Sequence, residues 1–509
     1  MKRSRRQFLH DIGASGGVIC MPAFLAGCGV MPATDFGAAP PANPFLEWFG
    51  VDELLLARVM SELTARGATH ADIYLQHRRE HRLRLRDGVK GAPDITMEQG
   101  AGLRVIVNGE TGFASTEDLS LQGLIVAARQ AAQRAAGAAA VSPAEFLSVK
   151  GSNFYPVATD WSSLGIERRW PILERLAASG YAADPSVSDV AVDWQDSDER
   201  ILIATLDGQI FLDERPLTRI SAQVKAQRGT DVQAGFASIS ARQDVHWYDD
   251  ARIDALARTA ADRALIRFEA KQPPLGAMPV LLAAGSSGIV LHEALGHALE
   301  ADFGARGSGA YAGLLGQAVA SPLVSVIDDA TMFHQRGALN VDDEGERGRQ
   351  NVLIDRGVLR TYLHDRLSAS AIGVSPTGSG RRESYRFMPM PRMTCTRIES
   401  GSETRDDLLA AVERGVWAKT YSNGRVDPVT GDFSFLIKNG WFVERGRASY
   451  PVRDVRLTGN GPDMLRNVQR LANDGRMDEA GWTCGKRGQR VPVSHGMPTA
   501  LVTGLRIES

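Results

Sequence analysis

The chain runs to 509 residues, 43% apolar and 23% charged, and its 58 basic and 60 acidic side chains give a formal net charge of −2. This is an ordinary globular composition, which excludes a fibrous or low-complexity protein, and the length suggests two or three domains once a leader is set aside. The slightly acidic balance lacks the electrostatic footprint of a nucleic-acid binder, and no solenoid-period repeat is present.

The chain opens Met1-Lys2-Arg3-Ser4-Arg5-Arg6-Gln7-Phe8-Leu9, paired arginines followed by two apolar residues, which reads as a twin-arginine export signal. Residues 12–27 are only mildly apolar and fall short of the roughly 20 residues that span a bilayer. Leu25-Ala26-Gly27-Cys28 resembles a lipoprotein cleavage box, so residues 1–27 read as a signal peptide and Cys28 as a lipidated first residue, with an uncleaved anchor as the alternative. The expected location is periplasmic, with the lipid at Cys28 as the only membrane contact. Residues 28–44, rich in alanine, proline and glycine, form a flexible tether.

A first domain is expected over residues 45–272. It begins with an amphipathic helix over Val51–Arg66, followed by strands over Asp72–Gln76 and His81–Arg86 and a turn at Asp87-Gly88. The alternating basic run His77–Arg86 reads as a solvated strand face. A hairpin over Leu103–Ser115 turns at Asn108-Gly109. Leu119–Ala140 is an alanine-rich helix, Val190–Ile239 an antiparallel meander broken at Asp207-Gly208, and Ala251–Ala270 a closing helix. Pro273-Pro274 cannot continue that helix, so a second domain spans residues 273–509.

The second domain opens with a buried strand over Met278–Ala284, a turn at Gly285-Ser286-Ser287-Gly288 and an apolar helix from Ile289. That helix carries His292-Glu293-Ala294-Leu295-Gly296-His297, two imidazoles around a carboxylate. Imidazole suits zinc, a catalytic zinc keeps one position open for water, and Glu293 is placed to take the water's proton. Residues five apart on a regular α-helix diverge by roughly 140°, against about 40° for residues four apart. His292 and His297 therefore meet one ion only if the helix widens, as in a π-bulge, or ends between them, which Gly296 permits. The alternative is two unrelated histidines at the end of a buried helix. The acids Glu300 and Asp302 read first as solvated helix-end groups, and second as partners of an imidazole.

Helices are expected over Thr361–Gly373 and Asp406–Tyr421, and a hairpin over Phe433–Leu457 turning at Asn439-Gly440. Gly378-Ser379-Gly380 lacks the lysine of a phosphate loop, so Arg381 and Arg382 are read as available to substrate carboxylates. Cys20 and Cys28 lie in the export segment, which leaves Cys395 and Cys484. The glycine-punctuated, basic surroundings of Cys484 favour the thiolate that binds metal; a Cys395–Cys484 disulfide is the rival reading.

His292–Asp302, Asp342-Asp343-Glu344-Gly345, Thr377–Tyr385 running into Pro389–Thr394, and Cys484-Gly485-Lys486-Arg487-Gly488-Gln489 together resemble the TldD/PmbA family of metallopeptidases, in its TldD-like branch. The resemblance reaches back to about Val51. It implies His292, His297 and Cys484 as zinc ligands and Glu293 as the catalytic glutamate. It also implies an α+β chain with an N-terminal α/β domain and a C-terminal, largely β catalytic domain bearing a metal-binding helix. A dimer enclosing a chamber for short or unfolded peptides follows from it, either a homodimer or a heterodimer with a paralogue of the TldE/PmbA kind. Better-known relatives are cytoplasmic, which leaves a cytoplasmic location as the alternative. Cys395, where the family usually carries asparagine, and His495, read as a surface-loop residue, depart from the pattern.

Two functions are therefore expected. One is an exported zinc peptidase; the other is a non-catalytic peptide-binding lipoprotein or regulatory subunit whose metal site is structural, to which His495 would supply a fourth ligand.

Overall fold

The computed structural model describes residues 43–134, 137, 139–304 and 309–509, so the leader, Cys28 and all but the end of the tether lie outside the described residues. Residues 40–509 form one compact unit. Within it the architecture is α+β, and among the described residues no helix is long and apolar enough to cross a membrane.

The N-terminal half is built on one sheet, antiparallel in the order Glu110–Thr116, Asp94–Val107, His70–Arg86, Val187–Thr205 and Gln209–Arg228, with Asp231–Ala241 paired antiparallel and the short Leu147–Ser148 parallel along the last strand. Three of these strands run for 17, 19 and 20 residues, about three to four times the usual length of some 5–6. The two strands expected over 72–86 are a single strand, because cross-strand pairing continues through the charged residues His77–Arg79. Period-two alternation assigns the faces. Ala71, Ile73 and Leu75 pack beneath helices Glu53–Leu63 and Leu121–Arg134, while Leu83 and Leu85 pack beneath Trp170–Ala182 and Asp250–Leu265. On the opposite face Tyr74 packs against Val341 and Tyr385 of the C-terminal half. Further along, Arg82, Arg84 and Arg86 reach solvent as expected, whereas Glu80 and His81 are buried. The hairpin turn at Asn108-Gly109 has both residues at positive φ, 51° and 85°, as a two-residue primed turn requires.

The C-terminal half holds two larger sheets. One centres on Val280–Leu282, Arg414–Val426 and Asp432–Glu444; the other places Val326–Asp329, Cys395–Ile398 and Ser494–Met497 side by side. Two expectations fail here. The helix foreseen over Asp406–Tyr421 ends at Ala410, and Arg414–Val426 is a strand, since Val416–Ala418 pair with Val280–Leu282 on one side and with Gly440–Phe442 on the other. The turn foreseen at Asn439-Gly440 is strand as well. A Cβ on Gly440 would lie 2.6 Å from the Trp417 carbonyl oxygen, so this glycine serves a close backbone approach, and the chain reverses instead at Arg445-Gly446. The helix expected over Thr361–Gly373 is confined to Arg366–Ile372, started by the Asp365 cap and stopped by Gly373 at φ 72°.

The halves are joined by a buried ion network. Arg104 pairs with Asp72 and Glu344, both at 2.6 Å, and Arg382 pairs with Asp72 at 3.1 Å. Asp343 accepts from Arg215 at 2.6 Å. The acidic block at 342–344 is thereby a seam between the halves.

Candidate metal centre

The strand Val280–Leu282 delivers the chain through a turn into one helical segment that changes pitch twice: an α-turn over Gly288–Leu291, a π-turn over His292–Gly296 and a 3-10 turn over His297–Leu299. The His297 amide donates to the His292 carbonyl oxygen five residues back. This widening brings the two rings together, with centroids 5.0 Å apart and planes at 77°. Gly296 itself has φ −56°, which any residue adopts. Its lack of a side chain serves packing, because a Cβ there would fall 2.0 Å from the Met393 sulfur.

The third group arrives on a separate hairpin, Thr483–Lys486 paired with Gln489–Pro492. The Cys484 Sγ lies 3.3 Å from His297 Nε2, close to the roughly 3.5 Å that a sulfur and a nitrogen subtend at a tetrahedral zinc. Ligand atoms of His292, His297 and Cys484 all lie within 4.8 Å of one another, and all three residues are buried. Cys484 and Cys395 are both free thiols, so no disulfide joins them.

The surroundings fix the protonation pattern that metal binding requires. His297 Nδ1 is 2.9 Å from Glu300 Oε2, so Nδ1 donates to that carboxylate and Nε2 is the nitrogen turned toward the thiol; against the cost of burial, Glu300 and Cys484 hold the ring protonated well above its ordinary value, a proton that a metal on Nε2 would displace. Glu300 is fully buried and receives Lys486 Nζ at 2.8 Å; Lys486 also pairs with Asp302 at 2.6 Å. Burial alone would raise the Glu300 carboxyl, but Lys486 and His297 hold it well below the usual range. Glu300 and Asp302 are therefore internal partners, not solvated helix-end acids. Burial likewise opposes the Cys484 thiolate, yet His292 and His297 bring this thiol down to about 4. The buried Nδ1 of His292 has no hydrogen-bond partner among the described residues. Two imidazoles and a thiolate are a zinc donor set, and these side chains fit one.

Glu293 is the partly exposed member of the group. Its carboxylate lies 3.9 Å from His297 Nε2, and with His292 it lines a pocket of about 160 Å³ walled by Tyr421, Phe435, Trp482 and Val493. His495, expected on a surface loop, is fully buried on the strand Ser494–Met497. Its ring centroid is 5.8 Å from that of His292 and 5.2 Å from Trp482, and Asp478 is 3.8 Å from its Nε2. It stands outside the three-ligand group. Arg381 and Arg382, expected to meet substrate carboxylates, are buried and occupied within the protein. Arg381 donates to the Met393 and Pro492 carbonyl oxygens, and Arg382 donates to Asp72 and the Asp343 carbonyl oxygen.

Glu300 fills the role that the sequence offers only as its second reading, a partner of an imidazole, while Lys486 and Arg392 are supporting residues to which the sequence assigns no site role. Arg392 donates to the Cys484 carbonyl oxygen at 2.7 Å, so the hairpin is held through its backbone as well as through Lys486. A signal for Lys486 existed: on a strand it shares a face with Cys484, two residues earlier.

Comparison with known proteins gives a consistent result. Models of the PmbA/TldA metallopeptidase match domain 1 at residues 71–139, the central domain at 159–268 and the C-terminal domain at 275–509. The metalloprotease TldD homolog of Haemophilus influenzae is 33% identical over 477 residues, covering 92% of this chain and 98% of its own. The zinc metalloprotease TldD homolog of Saccharolobus solfataricus is 28% identical, covering 66% and 74%. The crystal structure of TldE from Thermococcus kodakarensis superposes with a TM-score of 0.71 at 15% identity, covering 89% and 99%, a likeness of fold.

Proposed function

Because the chain belongs to the PmbA/TldD family of metallopeptidases, we propose that it is a zinc-dependent peptidase, with His292, His297 and Cys484 as ligands and Glu293 as general base. The observation that carries this reading is the 3.3 Å approach of Cys484 Sγ to His297 Nε2 across 187 residues of sequence, beside a carboxylate that opens on a pocket. Zinc bound there supplies Lewis acidity toward a peptide carbonyl and acidifies a water molecule. Glu293 accepts the proton of the attacking water and returns it to the leaving amine. Glu300 keeps the His297 proton on Nδ1, while Lys486 and Arg392 hold the hairpin that presents Cys484. The aromatic walls of Tyr421, Phe435 and Trp482 favour a small apolar substrate side chain.

Short or unfolded peptides are the proposed substrates, and a dimer, either with itself or with a TldE-like paralogue, the proposed assembly. The N-terminal sequence supports a further proposal, that the enzyme works outside the cytoplasm on a lipid tether at Cys28.

Zinc content and peptide hydrolysis of Glu293→Gln test the assignment. About one zinc per chain should remain, with hydrolysis reduced at least roughly 100-fold. A zinc-loaded variant hydrolysing peptides at the wild-type rate would overturn it.

A further inference from the structure

A polar cavity of about 50 Å³ lies within the seam where the two halves meet, and six guanidinium groups line it against three carboxylates. Three of the six guanidinium groups are matched by carboxylates. Arg215 pairs with Asp213 and Asp343, Arg382 with Asp72, and Arg78 with Glu80. Glu199 accepts from Gln76 and Glu383 from the Arg490 amide.

Of the other three, Arg490 is exposed to solvent, and Arg242 and Arg381 are buried. Each is 2% exposed, and among the described residues neither has a carboxylate oxygen within ion-pair distance. Arg242 donates to the Pro216 carbonyl oxygen at 3.2 Å and lies 4.8 Å over the Tyr155 ring, while its buried Nε has no hydrogen-bond partner. Arg381 donates only to carbonyl oxygens, at 2.6 and 2.8 Å. The Nε of Arg382 is also buried without a partner. Carbonyl oxygens orient a guanidinium but leave its charge uncompensated, and a buried uncompensated charge is among the costliest groups a protein can hold. Burial brings Arg381 down to about 10, with Asp343 opposing and Arg392, Arg242 and Arg215 assisting, so it stays charged at neutral pH.

We propose that this cavity is a binding site for a small inorganic anion, of halide to phosphate size, held between the guanidinium groups of Arg242 and Arg381. One water needs about 10–15 Å³ of such space, so the cavity has room for an ion together with water. Arg381 also holds the Pro492 carbonyl oxygen at the end of the Cys484 hairpin, and an anion on Arg381 would brace that hairpin from behind.

Bromide is the direct probe, because it scatters anomalously. Crystals of the full chain soaked in sodium bromide should show an anomalous peak between Arg242 and Arg381; a cavity holding only water would overturn the proposal. In solution, bromide or phosphate replacing bulky gluconate at constant ionic strength should raise the melting temperature by about 2 °C and saturate. Arg490→Gln, at the exposed lip of the cavity, should shift half-saturation to a several-fold higher concentration. A rise that never saturates, identical in wild type and Arg490→Gln, would mean an adventitious ion only and would equally overturn the proposal.

Discussion

His297 Nδ1 lies 2.9 Å from the Glu300 carboxylate, which is wholly buried and itself neutralised by Lys486. A helix-end acid three residues past the second histidine thus sets which ring nitrogen faces Cys484. Glu300→Gln keeps the volume but forfeits the charge, and loss of such a partner commonly costs 10- to 100-fold in metal affinity. Competition with a chromogenic chelator should register a weakening of about that size; unchanged affinity would remove Glu300 from the centre.

Cys484 should be reactive far below the range of an ordinary thiol. With its thiol at about 4 in the metal-free protein, the thiolate persists at pH 5–6, where a free cysteine near 8.5 is almost fully protonated. Iodoacetamide labelling followed by peptide mapping should modify Cys484 at pH 6 in chelator-treated protein, and zinc should protect it. Cys395, buried and pushed to a high value, should stay unlabelled. Equal labelling of both cysteines would contradict this assignment.

Gly296→Ala should reverse the usual sign of a helical glycine substitution. In an open helix alanine gains up to about 1 kcal/mol over glycine, but here the new methyl group meets the Met393 sulfur at 2.0 Å. Overpacking of this kind costs about 1–3 kcal/mol. A lowered denaturant midpoint is expected, and Gly296→Ala combined with Met393→Ala should recover part of the loss.

Asp72 links both halves through Arg104 and Arg382. Burial works against its charge, but Arg104, then His70 and Arg382, hold the carboxyl well below the usual carboxylate range. A depressed acid contributes stability that is full above its unfolded value near 3.9 and is lost as pH falls below it. The wild-type denaturant midpoint should therefore drop as pH goes from 5 to 3, and Asp72→Asn should flatten that part of the dependence. Removing one partner from a buried pair costs about 3–5 kcal/mol, so the variant should also be markedly less stable at pH 7.

Much of this was legible in the sequence, for reasons that can be named. The five-residue spacing of His292 and His297 demanded a widened or interrupted helix, and the π-turn supplies the widening. The first-half meander and the Asn108-Gly109 turn were readable because their signals are local. The helix expected over Asp406–Tyr421 gives way to strand from Arg414 because that strand state comes from partners over a hundred residues before it and some twenty after it. Gly440 carried a turn signal whose real cause, the Trp417 carbonyl at close range, is invisible without the neighbouring strand. Helix Trp170–Ala182 went unnoticed. Glu300, His495, Arg381 and Arg382 were assigned to solvent or substrate since sequence alone gives no measure of depth.

The two histidines precede the cysteine by nearly two hundred positions, 187 between His297 and Cys484. At roughly 5–20 residues per second of synthesis, some 10–40 s separate the emergence of the rings from that of the sulfur. A nascent chain halted in that interval holds two nitrogens and no clamp. Uptake of the proposed cation would consequently be a late step of biogenesis, and a premature stop anywhere before codon 484 yields a polypeptide unable to complete its centre, however well its first sheet has formed.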